Sequence, residues 1–341
     1  MKSKFKNPRA KHNFQGRTCS ITGVGSYVPE KILTNAELEK MVETSDECIT
    51  TRTGIKERRI AAADEFTSDL AAKAARRAME MAGITADQID LIIVASITPD
   101  MPFPNTACLV QQKLSARRVP AFDIEAACSG FIYALEVGQN FITARTYETV
   151  LVIGAEKLSA ITNWKDRNTC VLFGDGAGAA ILQNRPLSHG LLTTALGADG
   201  GKADLLSMPG GGSRCPASAQ TVLDGLHFLR MDGKETFKNA VQAMCSAAKE
   251  VLARCEIDIT RIKCVIPHQA NRRIIDAVGE RLGATPEQIF INLHKYGNTS
   301  AASVAIALDE AVRSGKVQRG DLILIIAFGA GLTWGAAVIE W

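Results

Sequence analysis

The 341-residue chain carries a faint copy of its own first half about 172 residues further on, and this repetition limits its possible folds more than any single motif does. The segment 20–25 (Ser-Ile-Thr-Gly-Val-Gly) stands 172 residues before 192–197 (Leu-Thr-Thr-Ala-Leu-Gly). A helix end running into a strand, 81–93, stands 173 before 254–266. Cys128, opening a helix, stands 170 before Asn298, which opens another. Strand 150–154 precedes 322–327 by about 172. The offset then falls to 157 between 178–181 (Gly-Ala-Ala-Ile) and 335–338 (Gly-Ala-Ala-Val), which puts extra residues in the first half around 156–172. Identity at single positions is low, yet five matches in order imply a duplicated α/β unit with its two sheets packed together.

Periodicity fills in that plan. Apolar runs predict strands at 20–24, 91–95, 121–124 and 150–154, then at 191–195, 264–266, 322–327 and 335–339. Helical spacing predicts helices at 68–82, 130–144, 235–254, 272–282 and 301–314. The division is a mobile basic tail at 1–17 and halves at 18–186 and 187–341, joined near 184–188. Residues 322–339 run uncharged for the eighteen positions a membrane helix needs at minimum. Gly329, Gly331 and Gly335 interrupt that run, so it reads as two buried strands around a glycine turn, with no membrane span. Residues 174–178 and 329–331 read as tight turns between core strands, since neither fits a dinucleotide or P-loop fingerprint. The 210–212 glycine run reads as a surface loop.

Charge narrows the partners. A net charge of +3 with 22% charged residues excludes bulk nucleic-acid binding, which needs a dense basic face. The tail holds Lys2, Lys4, Lys6, Arg9, Lys11 and Arg17 without an apolar stretch, so it is no secretory signal. It reads as a solvated arm, with organelle targeting or RNA contact as the alternatives. Nine cysteines, an odd number without a CxxC pair, make neither a disulfide framework nor a zinc site. They suit a reducing compartment, hence the cytoplasm.

Three residues have the means for chemistry. Cys128 follows strand 121–124 and precedes a helix, with Ala126, Ala127, Ser129 and Gly130 around it. A helix N-terminus favours a thiolate, and small neighbours let a substrate approach. His268 follows the strand that ends at Pro267, at the carboxyl end where α/β ligand sites gather. Asn298 sits on a glycine-bearing loop and, by the repeat, is the counterpart of Cys128. Two such helix starts aimed at one cavity would bring a nucleophile and a hydrogen-bond donor together. Read singly, each has a structural alternative: a buried cysteine, a structural histidine and a helix cap.

In order along the chain stand Thr-Ser-Asp-Glu at 44–47, Thr-Arg-Thr-Gly-Ile at 51–55 and Ala-Ala-Cys-Ser-Gly at 126–130. Phe-Gly-Asp-Gly-Ala-Gly-Ala at 173–179, Pro-His-Gln-Ala-Asn at 267–271, Gly-Asn at 297–298 and Gly-Leu-Thr-Trp-Gly at 331–335 follow. With these motifs the chain resembles the β-ketoacyl-[acyl carrier protein] synthase III family over about 18–341. The resemblance implies the thiolase fold, two duplicated α/β halves packed as five αβαβα layers, and a homodimer. It implies that Cys128 takes an acyl group from acyl-CoA, and that His268 and Asn298 stabilise the enolate formed as malonyl-[acyl carrier protein] (malonyl-ACP) loses carbon dioxide. It further implies that the N–H groups of Cys128 and Ala330 form the oxyanion hole, and that no cofactor takes part. Arg52 and Arg167 would meet the CoA nucleotide. Gln269, Ala270, Asn271, Arg272, Arg273 and Lys238 would meet the acidic carrier protein, and Phe103 would enter the partner subunit's acyl pocket. The starter would be short, such as acetyl.

Two positions depart from that family. Cys48 stands where a tryptophan commonly stacks on the CoA adenine, and Trp164 is the candidate substitute. Ala330 stands where glycine is common, which a backbone donor tolerates unless φ must be positive. A papain-type hydrolase shares the order Cys, His, Asn but needs a local cysteine signature that is missing here. Thioester hydrolysis is a nearer alternative, as are related condensing enzymes that start polyketides or make signal molecules.

Overall fold

The alternating pattern resolves, in the computed structural model, into two mixed sheets with the same connectivity. The structure describes residues 18–185 and 190–341, so the basic segment 1–17 and the middle of the expected join lie outside the described residues. The first sheet runs Thr18–Tyr27, Gly176–Arg185, Thr149–Glu156, Leu91–Ala95, Ala121–Ile124 in spatial order. The second runs Gly190–Ala198, Thr333–Glu340, Leu322–Gly329, Cys264–Pro267. Corresponding neighbours pair alike: antiparallel, antiparallel, then parallel. A single parallel bridge between Val265 and Ile289 stands where a fifth strand would lie in the second sheet.

Five layers follow from where the helices are apolar. Helices Thr67–Ala82 and Thr106–Leu114 each bury one face on the outside of the first sheet. Gly233–Cys255 and Arg272–Leu282 do the same on the second. Helices Gly130–Thr143 and Ala302–Arg313 lie between the sheets, within one core that draws on both. The second of these buries every residue from Ala302 to Asp309, as a helix packed on both sides must. Each Leu, Ile or Phe fully buried there contributes about 1.5–3 kcal/mol.

The 322–339 run is indeed two antiparallel strands around a turn. Among the described residues, no helix is long and apolar enough to cross a membrane. The extra residues of the first half form a long excursion from Glu156 to Gly176, where the second half turns between Gly329 and Thr333. One glycine run departs from its expected place. Gly176 and Gly178 lie inside strand Gly176–Arg185, not in a turn. Helix Ala302–Arg313 crosses that strand so closely that a Cβ on Gly178 would stand 2.4 Å from the Ala305 Cβ.

The register of the repeat also corrects one pairing. Leu91 faces Val150 in the first sheet and Cys264 faces Ile323 in the second, a constant step of 173. The same step carries left-handed Ala127 (φ 44°) onto left-handed Ser300 (φ 47°). Cys128 therefore corresponds to Ala301, and Asn298 belongs to the loop ahead of that point. Loops of unequal shape, with almost no identity to anchor them, hid the difference of three residues.

Candidate active site

Cys128 lies on a tight turn, Ala127–Ser129, that feeds helix Gly130–Thr143. The left-handed Ala127 just before it costs on the order of 1–3 kcal/mol of backbone strain, and it aims the thiol into a cavity of ≈ 1740 Å³. His268 and Asn298 line the same cavity, as does Ala330, so the three chemical side chains drawn from distant sequence meet in one place. All three are buried.

The cysteine is not a resting thiolate, contrary to the sequence expectation. Burial pushes its thiol up to about 12, and the nearby Glu156 carboxylate adds to the rise. The Ser300 hydroxyl and a backbone hydrogen bond pull the other way without prevailing. Desolvation outweighs the helix terminus here.

Burial pushes His268 down to about 3, so its ring is neutral at physiological pH. Its Nδ1 lies 2.5 Å from the Ser303 hydroxyl. With that hydroxyl donating, the proton sits on Nε2 and is free to donate. Asn298 is oriented just as firmly. Its Oδ1 accepts the Ser300 N–H at 2.9 Å, which leaves the amide NH₂ as the donating end. Its backbone N–H donates to Leu172 O at 2.8 Å, and its carbonyl accepts from Gly174 N–H at 3.0 Å.

The glycine turn 329–331 packs directly on the nucleophile. A Cβ on Gly329 would lie 2.5 Å from the Cys128 nitrogen, so only glycine fits. Positive φ falls on Gly331 and not on Ala330, which removes the concern over an alanine there. The Thr333 hydroxyl donates to Ala126 O (2.9 Å) and Ala330 O (3.0 Å), tying the turn to the cysteine loop.

Around the mouth, exposed Arg52, Arg167 and Arg273 line the cavity together with Lys234, which sequence reasoning missed. Lys234 opens a long helix with an unremarkable sequence, and no local signal marks it. Other expectations fail. Trp164 is absent from the cavity wall: its indole N–H is spent on Ser159 O (3.3 Å), and its ring packs against the Leu33–Ile49 side cluster. Gln269 is buried and internally used, donating to Pro267 O and Phe290 O and accepting from the N–H of Asn292 and Leu293. It has nothing left for a partner protein. Asn271 lines the mouth but spends its side chain capping the next helix and donating to Arg52 O, and Arg272 pairs with Asp276. Ala270 is half-buried on the wall. Lys238 is exposed, and Phe103, at 83% exposure, does not line its own cavity. The 210–212 run is no mere surface loop, because Gly210 is buried and all three glycines line the cavity.

Glu156 went unnoticed in the sequence. It is fully buried at the end of its strand, and accepts from Ser96 Oγ (3.2 Å), Ile97 N–H (3.1 Å), Thr98 Oγ1 (2.6 Å) and Ser300 Oγ (3.0 Å). A lone glutamate at the end of a strand carries no motif.

The duplicated five-layered architecture is the thiolase fold. The family model for 3-oxoacyl-[acyl-carrier-protein] synthase III matches residues 122–200, and the model of its C-terminal part matches 252–341. A beta-ketoacyl-[acyl-carrier-protein] synthase III of Caldanaerobacter subterraneus subsp. tengcongensis is 60% identical over 94% of this chain and 97% of that protein. The crystal structure of 3-oxoacyl-[acyl-carrier-protein] synthase III from Aquifex aeolicus VF5 superposes with a TM-score of 0.89 at 49% identity, covering 96% of this chain and 100% of that one. The priming β-ketosynthase of the R1128 polyketide biosynthetic pathway gives a TM-score of 0.88 at 36% identity, covering 95% and 96%. The chain belongs to the β-ketoacyl-[acyl-carrier-protein] synthase III family.

Proposed function

We propose that this acyl-condensing transferase joins a short acyl group, supplied as its CoA thioester, to malonyl-ACP with loss of carbon dioxide, and so initiates fatty acid synthesis. The observation that carries the residue assignments is the convergence of Cys128, neutral His268 and amide-donating Asn298 on one cavity. Cys128 attacks the acyl thioester; sulfur replaces sulfur, so the same residue serves as entry and exit group. The N–H groups of Cys128 and Ala330 hold the oxyanion. Nε2–H of His268 and Nδ2–H of Asn298 then hold the enolate oxygen that forms as malonyl-ACP decarboxylates. Two fixed donors away from water are the main source of rate in such a step. The enolate carbon attacks the acyl-Cys128 carbonyl and frees the product. The steps transfer an acyl group, release carbon dioxide and form one C–C bond, with no demand for a metal or redox group.

The cavity volume exceeds the roughly 300–1,000 Å³ of ordinary small-ligand pockets and suits an extended pantetheine arm. Arg52 and Arg167 at the mouth meet the CoA phosphates, while Arg273, Lys238 and Lys234 meet the acidic carrier protein. Exposed Phe103 and Met101 suit burial against a second copy of the chain, with Phe103 closing the partner's acyl pocket. Nine unpaired cysteines suit the cytoplasm. The halves are proposed to divide near 186, between strands Gly176–Arg185 and Gly190–Ala198. Likeness to a polyketide-priming ketosynthase supports a second reading, in which the starter or acceptor belongs to secondary metabolism.

The test is purified protein with labelled acetyl-CoA and malonyl-ACP, beside Cys128→Ser. Acyl-enzyme, carbon dioxide and β-ketoacyl product from wild type alone are expected. Acyl-enzyme without product favours the second reading, and no labelled enzyme with any acyl-CoA overturns the role of Cys128.

A further inference from the structure

Cys128 must take a neutral starter from a cavity that also admits a malonyl thioester on the same kind of pantetheine arm. The two ligands differ by a carboxylate, and nothing in the triad tells them apart, since thiol, neutral histidine and amide all meet a thioester carbonyl. Glu125 stands three residues before Cys128, just past strand Ala121–Ile124. It is exposed and lines the cavity. Three residues of chain span at most about 11 Å, so its Cα lies within that distance of the Cys128 Cα. Among the described residues its carboxylate makes no hydrogen bond or ion pair.

The other charges on the wall are committed elsewhere. Asp123 accepts the N–H groups of Thr106 and Ala107 at 2.7 and 2.8 Å, so its charge is spent on a helix N-terminus. The cations form one connected group at the mouth. Arg167 donates to Glu43 O (3.2 Å), and Arg52 O accepts from Asn271, which caps the helix carrying Arg273. The Arg273 guanidinium lies 5.8 Å from the ring of Phe237, on the helix that Lys234 opens. Beside Glu125 the wall is apolar. Ala95 faces Ile124 across two parallel strands, so Ile97 leaves the sheet next to Glu125. Ile97 packs with Leu158, Phe173 and Leu229, and all four line the cavity. Glu125 is thus a free negative charge at the border of a surface that suits an acyl chain.

We propose that Glu125 selects the starter by charge, admitting neutral acyl groups to Cys128 and repelling those that end in a carboxylate, malonyl among them. The inference rests on Cys128 being the acyl acceptor. In the transfer the Cys128 sulfur bonds the acyl carbon, the C–S bond to CoA breaks, and the Cys128 thiol proton ends on the CoA sulfur. Those bonds are the same whatever the acyl tail, so discrimination has to come from what the tail meets. A repulsive element against the wrong ligand is how near-identical ligands are sorted. Two negative charges about 10 Å apart, partly screened by salt, disfavour the pairing by roughly three- to tenfold. The extender takes its place at His268 and Asn298, two uncharged donors, once Cys128 is acylated. Strand Ala121–Ile124 is the edge of its sheet, so a second copy seated there would shut out water and strengthen the repulsion.

The experiment is single-turnover acyl transfer to Cys128, followed by intact mass, from butyryl-CoA and from succinyl-CoA, which has the same chain length and a terminal carboxylate. The proteins are wild type, Glu125→Gln and Glu125→Lys. Wild type is expected to favour butyryl. The succinyl-to-butyryl rate ratio should rise roughly three- to tenfold in Glu125→Gln and further in Glu125→Lys. In wild type the ratio should also climb as salt is raised from about 0.02 M to about 0.5 M, and in Glu125→Gln it should not. The proposal is overturned if the ratio is the same in all three proteins, including the case where both rates fall together, as they would for a group that merely supports the fold or an interface. It is overturned as well if the wild-type ratio ignores salt. Glu125→Lys keeps the test decisive should Glu125→Gln not fold. A wild type that takes neither acyl group, nor acetyl, on Cys128 would instead sink the reading of Cys128 on which the selection depends.

Discussion

Replacing Asn298 by aspartate separates the donor from the scaffold. Asn298 holds Ser300 N–H with Oδ1 at 2.9 Å and uses its backbone to bridge Leu172 and Gly174. An aspartate at this position would keep every one of those bonds and replace the NH₂ with a carboxylate oxygen that cannot donate and whose charge opposes an enolate. Losing one of two preorganised donors to a developing oxyanion costs about 2.7–4 kcal/mol, or roughly 10²–10³ in rate. Asn298→Ala loses the same donor and also orphans the buried Ser300 N–H, which costs about 1–3 kcal/mol of stability. Asn298→Asp should therefore lose at least as much carbon dioxide release from carboxyl-labelled malonyl-ACP as Asn298→Ala, and the two should differ in denaturant midpoint. Transfer of acetyl to Cys128 should be nearly unaffected in Asn298→Asp. Decarboxylation within about fivefold of wild type, a loss of only about 1 kcal/mol, would refute the donor assignment. A parallel collapse of acetyl transfer would refute the division of labour.

The pH response of decarboxylation should be flat from about pH 5 to 8, because His268, lowered to about 3, does not titrate there; a rise or fall centred near 6.5 would contradict a neutral histidine. The same shift predicts acid lability: below 6.5 the unfolded chain binds a proton that the native histidine refuses until about 3, so stability falls with pH across that window. Glu156 works oppositely, since its raised carboxyl favours the fold below 4.5 and that contribution is lost as pH climbs through about 7; Glu156→Gln should gain on wild type in urea melts at pH 8 relative to pH 5. Gly178→Ala should destabilise the fold by about 1–3 kcal/mol or more, read as a lower denaturant midpoint, because its Cβ would meet Ala305 at 2.4 Å. Arg167→Ala should raise the KM for acyl-CoA about tenfold or more through a lost charged hydrogen bond, whereas Trp164→Ala should leave it unchanged.

Much of the architecture was legible because it rests on periodicity. Apolar runs located the strands of both sheets except Gly176–Arg185, whose glycines disguise its start as a turn. The repeat of motifs near 172 residues announced two similar halves. Cys128, His268 and Asn298 were legible because each stands at a strand end or a loop before a helix, in motifs shared with a family. Tertiary structure decided what depends on distance and on water. Ser300 and Glu156 lie 144 residues apart and meet only through the packing of two halves. Gln269 and Trp164 looked available until burial gave their polar atoms internal partners. Thiolate against thiol at Cys128 was settled by desolvation, which no local sequence encodes. Periodicity is a property of neighbours along the chain; proton affinity and donor orientation are properties of neighbours in space.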